Sequence, residues 1–387
     1  MDCMNLKERL TNFRSGRNCT LLGVGPMSKN CIDATIELAG EHAVPLMLIA
    51  SRRQIDSEQF GGGYVENWAT QQFADYVIEN DVSQNIILAR DHGGPWQNEL
   101  EKNKNMALKD AMQSAKDSFQ ADIDAGFHML HIDPSVDIHS KPSVDDILER
   151  VYELYDFCWS YAKQKGKEII FEIGTEEQSG GNNSKEELEY TLAKMKEFCE
   201  VNNYPFPSFI VIQAGTRVME TGNVGSFDSP VRSGSELPPE IHIPRMIEVC
   251  NKYGIWMKEH NADYLSSEAL KWQPRLGIHA ANIAPEYGVA ETRALVKILT
   301  ETNQTKLLDE FLALSYNSLK WKKWMLKETT ASDFDRSIIA GHYVFSNEKA
   351  IEIKNKARLK VNDLDALLKS AVKASIQRYM TSFNLSK

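Results

Sequence analysis

Nowhere does the chain carry the run of ~18 apolar residues that a membrane-spanning helix needs, so no membrane partner is expected. It also lacks a block rich in lysine and arginine. With 44 Lys+Arg against 54 Asp+Glu and a net charge of -10, it has no counterion-releasing patch, and no nucleic-acid partner is expected. The six cysteines, Cys3, Cys19, Cys31, Cys158, Cys199 and Cys250, show neither CxxC nor zinc-finger spacing and read as reduced thiols. Residues 1–14 have no apolar centre, so no signal peptide is expected and the cytoplasm is the expected location. Gly23-Val24-Gly25-Pro26 lacks the third glycine of a dinucleotide fingerprint and runs into a proline, which argues against an open doubly wound sheet. Gly61-Gly62-Gly63 is followed by no Lys-Ser/Thr pair, which argues against a P-loop and leaves a flexible turn.

What is present is material for a large core: 42% hydrophobic and 25% charged residues over 387 positions. Short apolar, β-branched runs recur at 19–24, 45–50, 85–89, 128–132, 168–173, 208–212, 254–257 and 276–280. Between them lie stretches such as 145–163, 185–201 and 244–252, whose apolar residues return every three or four positions as a helix requires. Strand and helix alternating eight times predicts an α/β fold, a (β/α)8 TIM barrel over residues 1–300. Beyond it the strand signals stop, and 306–327, 347–356 and 363–382 predict a C-terminal helical extension over 301–387. Its run Trp321-Lys322-Lys323-Trp324 reads as part of an amphipathic helix that buries tryptophans beneath lysine stems. Segments 180–184 and 221–236, rich in Gly, Ser, Asn and Pro, read as long loops on the catalytic face.

Chemistry concentrates where the predicted strands end, the face on which barrel enzymes carry their sites. Asp91 and His92 follow the third strand, Asp133 and Ser135 the fourth, and Glu172 and Glu176 the fifth. Gln213 ends the sixth, His260 and Asp263 the seventh, and the eighth carries His279 and Asn282. Imidazoles with carboxylate or amide oxygens suit a divalent ion, zinc or else manganese or cobalt. His92 and His260 are the first candidates as ligands, Glu172 or Gln213 completes the set, and Asp91 moves a proton, with Glu172 or Glu176 handling a second one. Asp133, Ser135, Gln213, Asp263 and Asn282 are candidates for holding substrate. Arg52, Arg53, Lys258 and Arg275 are cations near strand ends that could meet an anionic group, with Lys258 and Arg275 flanking the site. His128, His131, His139 and His242 read as structural by default, since a lone histidine is more often hydrogen-bonded than a ligand. His279 is left open, pointing either inward or toward a helix.

Several stretches, in this order, resemble the tagatose-bisphosphate aldolase non-catalytic subunit family, relatives of the class II metal-dependent aldolases that include ketose-phosphate 4-epimerase-type members. They are Gln59-Phe60-Gly61-Gly62-Gly63-Tyr64, Asp91-His92-Gly93-Gly94-Pro95, His131-Ile132-Asp133-Pro134-Ser135, Ile173-Gly174-Thr175-Glu176, Gln213-Ala214-Gly215, His260-Asn261-Ala262-Asp263-Tyr264 and Gly341-His342-Tyr343. The resemblance implies a class II aldolase-like barrel in which Asp91 matches the proton-transferring acid and His92 and His260 match metal ligands. A third ligand, a histidine in catalytic aldolases, is replaced by Gln213, and the phosphate-binding glycine/serine loop by Asn261-Ala262-Asp263-Tyr264. Three functions follow as expectations: a metal-dependent epimerase of a ketose or ketose phosphate, a stabilising subunit of a true aldolase, or a class II aldolase with an unusual substrate. The expected partners are a sugar or sugar phosphate, with a homo-oligomer or an aldolase partner subunit.

Overall fold

The computed structural model describes residues 5–175, 184–227 and 237–386. Eight parallel strands close into a barrel: Leu21–Val24, Leu46–Ser51, Ile86–Gly93, Met129–Ile132, Ile170–Ile173, Phe209–Val211, Trp256–Glu259 and Ala280–Ile283, the eighth pairing with the first. This is the (β/α)8 architecture that the strand spacing predicts. Seven of the strands overlap their predicted positions broadly, and the eighth shares only Ala280 with 276–280. There the chain first forms the short helix Trp272–Leu276, which the left-handed Gly277 (φ 88°) terminates, and only then extends.

Strand side chains alternate between the two faces of the barrel wall, and that alternation builds the site. Leu21, Met47, Ile49, Ile87, Ala89, Met129, Phe209 and Ala280 fill the lower interior, closed from below by Leu10 and Phe13 of the helix Leu6–Ser15. Two residues further along the same inward faces come Asp91, His131, Lys258 and Asn282, with Glu172 two beyond Ile170. Outward residues of the same strands, Leu88, Leu130, Phe171, Met257 and Ala281 among them, join the core beneath the helices. That core is built by amphipathic helices such as Val144–Gln164, which opens with a Ser143/Asp146 capping box and buries Ile147, Leu148, Val151, Leu154, Tyr155 and Cys158.

The helices after residue 301 share a second apolar cluster with the helix Pro285–Glu301, including Leu295, Leu299, Phe311, Ile338, Phe345 and Leu368. The last helix, Leu364–Ser382, returns to the barrel: its Val372, Ile376, Tyr379 and Met380 belong to the main core, and Lys369 and Lys373 pair with Glu37 and Glu41. Helix 306–327 is shorter than its periodicity predicts. It runs Thr305–Asn317, Leu319 adopts a left-handed backbone (φ 58°), and Lys322–Trp324 form a single 3-10 turn. The tryptophan–lysine run is therefore a strap and not a helix face. Among the described residues no helix is long and apolar enough to cross a membrane.

Candidate active site

Three imidazoles meet at the carboxyl mouth of the barrel. One ring nitrogen from each of His92, His131 and His260 lies within 4.8 Å of the others. His131 and His260 reach this point from inward positions at the ends of the fourth and seventh strands. His92 reaches it through an irregularity: the register of the third strand shifts between Arg90 and Gly93, and His92 takes a left-handed backbone (φ 46°). A non-glycine residue in that region is uncommon, and here it turns the ring over the opening.

The proton positions can be argued from the neighbours. His92 Nδ1 lies 2.7 Å from Asp133 Oδ2, so Nδ1 carries a proton and Nε2 points to the cluster. His260 Nε2 lies 3.0 Å from Glu172 Oε1 and 3.1 Å from Asn282 Nδ2. It cannot donate to one and accept from the other at once, and the shorter bond to a carboxylate decides for donation. His260 Nδ1 is then a bare lone pair facing His92 Nε2 at 3.3 Å. Two lone pairs do not face each other at that distance, so either a second proton on His92 or a cation belongs between them. The electrostatics agree. Burial alone would lower the His92 imidazole, but the charges of Asp91 and Asp133 outweigh it and raise it to about 9. Burial lowers His260 despite Asp91 and Glu172.

The carboxylates are held ionised. Burial works upward on Asp91, yet His92 first, then His260 and His131, hold its carboxyl far below the usual range. Glu172 lies 2.6 Å from Lys258 Nζ; against the pull of burial, Lys258, His131 and His260 keep it down to about 2. Asp133, bonded to His92 and Ser135, is likewise held at about 2 against burial. Asn282 Nδ2 donates to Asp91 Oδ1 (3.1 Å), and its Oδ1 occupies the space beside Gly23, where a Cβ would lie 2.2 Å away.

The donor set fits a divalent ion. It offers three nitrogens around one point, two of them on rings oriented by a carboxylate, and His131 Nε2 is buried with no partner among the described residues. Above the cluster lies a cavity of about 440 Å³, lined by Asp91, His92, Asp133, Ser135, His260, Asp263 and Asn282 together with Arg53, Lys323, Trp324 and Tyr343. A larger cleft of about 690 Å³ on the outer wall is bounded by Gly61, Gly62, Glu58, Asp117 and Asp124, with no imidazole among its described lining residues.

Of the residues singled out in the sequence, Asp91, His92, Asp133, Ser135, Glu172, His260 and Asn282 come together here. Asp263 borders the cavity, but its carboxylate accepts the N–H groups of Ala284 and Glu286 and so fastens the next helix. Gln213 is buried and Arg275 stacks on Trp272, and neither is among the described residues lining the cavity. Glu176 lies outside the described residues. His279 faces away from the mouth, accepting from Met257 N and stacking on Trp256. His131, set aside in the sequence, sits in the cluster. Its signal was the inward register it shares with Met129 and Asp133. Lys323, Trp324 and Tyr343 gave no such signal, since they reach the mouth from the helical extension.

Fold and site define a (β/α)8 barrel with a histidine–carboxylate centre at its carboxyl mouth. The chain belongs to the family described as D-tagatose-1,6-bisphosphate aldolase subunit GatZ/KbaZ-like, which it matches over residues 6–218. Solved structures share the fold. A probable tagatose 6 phosphate kinase from Sinorhizobium meliloti 1021 is similar at 16% identity and a TM-score of 0.74, over 94% of this chain and 100% of that one. A fructose-bisphosphate aldolase from Campylobacter jejuni is similar at 11% identity and 0.58, over 99% and 96%. The fructuronate-tagaturonate epimerase UxaE from Cohnella laeviribosi is similar at 10% identity and 0.53, over 95% and 81%.

Proposed function

We propose that this protein is a cytoplasmic epimerase of a ketose or ketose phosphate, using a divalent ion, zinc or else manganese or cobalt, held by His92, His260 and His131. The observation that carries the reading is the convergence of these rings with Asp91, Glu172 and Asn282 at one cavity. When bound, the ion polarises a substrate carbonyl and stabilises the negative charge that develops on it. Asp91, ionised and facing the cavity, takes the proton, either from a hydroxyl in a retro-aldol cleavage or from the carbon beside the carbonyl. While His92 is charged Asp91 is a weak base; loss of the His92 proton removes the largest influence holding it down and strengthens it. Asn282 orients the Asp91 oxygen, and Asp133 orients His92. Glu172, locked by Lys258 and His260, fixes the seventh-strand ring, and His131 takes the third ligand position that the sequence offered to Glu172 or Gln213. Ser135 and Asp133 line the wall where sugar hydroxyls would bind.

Elemental analysis of the purified protein should find about one divalent ion per chain. His92→Ala and His260→Ala should each lower that content, and Asp91→Asn should keep it while lowering turnover about 100-fold or more. Metal-loaded protein that leaves a panel of ketose phosphates and ketoses unchanged by NMR, with no solvent deuterium incorporated, rules the epimerase out.

A second reading, a stabilising subunit of a class II aldolase, is favoured by the absence of Gln213 from the described cavity lining and by the family's description as an aldolase subunit. Activity of the isolated protein counts against it. A third, an aldolase acting on an unusual ketose phosphate, would show itself by release of a trapped triose.

A further inference from the structure

Of the cations that the sequence sets near strand ends, three are already committed. Arg52 is buried against Asp56 Oδ2 (3.0 Å) and Glu101 Oε1 (2.6 Å), Lys258 is bound to Glu172, and Arg275 lies on Trp272 away from the cavity. Arg53 alone of the set lines the cavity that holds the histidines. Opposite the strand ends, the strap brings in a second cation. Lys323 lines the same cavity and lies 4.5 Å from the Trp324 ring and 5.3 Å from that of Tyr343. Burial first, and the charge of Arg53 next, lower the Lys323 ammonium. Glu99, the nearby carboxylate, is taken by Lys320 at 2.5 Å. Among the described residues no ion pair joins Arg53 or Lys323 to a carboxylate. Tyr343 accepts from Trp324 Nε1 (3.2 Å), which leaves its own hydroxyl proton free to donate.

The strap is held in this position. Glu220, in the hairpin Val218–Met219/Gly222–Asn223 after the sixth strand, donates its N–H to Trp324 O at 2.7 Å and accepts from Thr329 Oγ1 at 2.5 Å. The same hairpin grips the seventh-strand loop through Asn223 Nδ2, which donates to Asn261 O and Asp263 O.

Two like charges kept close inside a cavity, without a carboxylate between them, are stabilised by an anion that enters. We propose that Arg53 and Lys323, with the Tyr343 hydroxyl, form a subsite for an oxyanion, phosphate or carboxylate, at the end of the substrate away from the histidine cluster. The inference rests on the epimerase reading only for what the anion is attached to. The subsite itself replaces the glycine/serine phosphate loop that Asn261-Ala262-Asp263-Tyr264 does not supply. It also makes the helical extension a determinant of specificity.

The test is calorimetric titration of the full-length, metal-free protein with inorganic phosphate at constant ionic strength, then with a hexose 6-phosphate, a hexuronate and a neutral hexose. Phosphate should bind in the millimolar range or tighter. Arg53→Gln and Lys323→Gln should each weaken it about tenfold, Arg53→Lys should retain most of it, and whichever charged sugar binds more tightly identifies the oxyanion. Absence of phosphate binding, or equal binding by folded Arg53→Gln and Lys323→Gln proteins, overturns the subsite. Because the titration needs neither ion nor turnover, a failed epimerase assay leaves its result standing, and a missing subsite leaves the metal content unaffected.

Discussion

At the residue scale, His92 couples ion binding to pH. Its imidazole is raised to about 9, and it must give up a proton before Nε2 can act as a ligand. Metal affinity should therefore fall about tenfold per unit as pH drops below about 9, with roughly one proton released per ion. Titrations in buffers of different ionisation enthalpy measure this directly, and a pH-independent affinity between 7 and 9 would contradict it. In the metal-free protein the sign reverses: the charged His92 stabilises the fold fully below its unfolded value near 6.5, and that contribution fades as pH rises through about 9. His131 supplies a second prediction. If its ring is the third ligand, His131→Ala should reduce bound metal as much as His92→Ala, whereas a purely structural ring would leave the stoichiometry at one.

At the element scale, period-two alternation explains how much of the site could be read from sequence. Met129 and His131, Ile87, Ala89 and Asp91, and Ala280 and Asn282 each share one face of a strand, so an apolar residue in the interior points to the polar residue two positions on. His92 does not obey this rule, because a register shift and a left-handed backbone bring it in; sequence found it only through its neighbour Asp91. Gln213 is the opposite case, buried but not among the described residues that line the cavity. It stands at a strand exit, but its sixth-strand neighbours Phe209 and Val211 set an inward register that also passes through position 213, and only the path of the chain beyond Val211 decides its distance from the cavity. The helix after the eighth strand, Pro285–Glu301, offers a packing test. Gly288 lies against the buried His342, where a Cβ would fall 2.5 Å from Cγ. Gly288→Ala should therefore destabilise the protein by about 1–3 kcal/mol, as overpacking does, despite the better helix propensity of alanine, and urea unfolding reads it.

At the scale of the whole molecule, the division at residue 300 separates strands from helices but does not separate cores. The main cluster includes Val372, Ile376, Tyr379, Met380 and Phe383 beside barrel residues such as Val24, Cys31 and Tyr287. A chain ending at 300 should therefore lose the cooperative thermal transition of the full protein; a truncated form melting as sharply and as high as the intact one would show that the barrel stands by itself. This dependence was hidden in the sequence because helical periodicity reports which face of a helix is apolar and not what covers it. The strap was hidden for the same reason: Trp321-Lys322-Lys323-Trp324 has a helix-like composition, and the left-handed Leu319 that ends the helix before it follows from tertiary contacts.

The backbone N–H of Thr20, one residue before the first strand, donates to the carbonyl of Phe383, four residues from the terminus, at 3.1 Å. During synthesis the opening stave can pair with Ala280–Ile283 well before Phe383 is made, but the helix Leu364–Ser382 that packs beside it arrives only some eighty residues later. Until then the apolar flank of that stave stays uncovered, the kind of surface that chaperones bind.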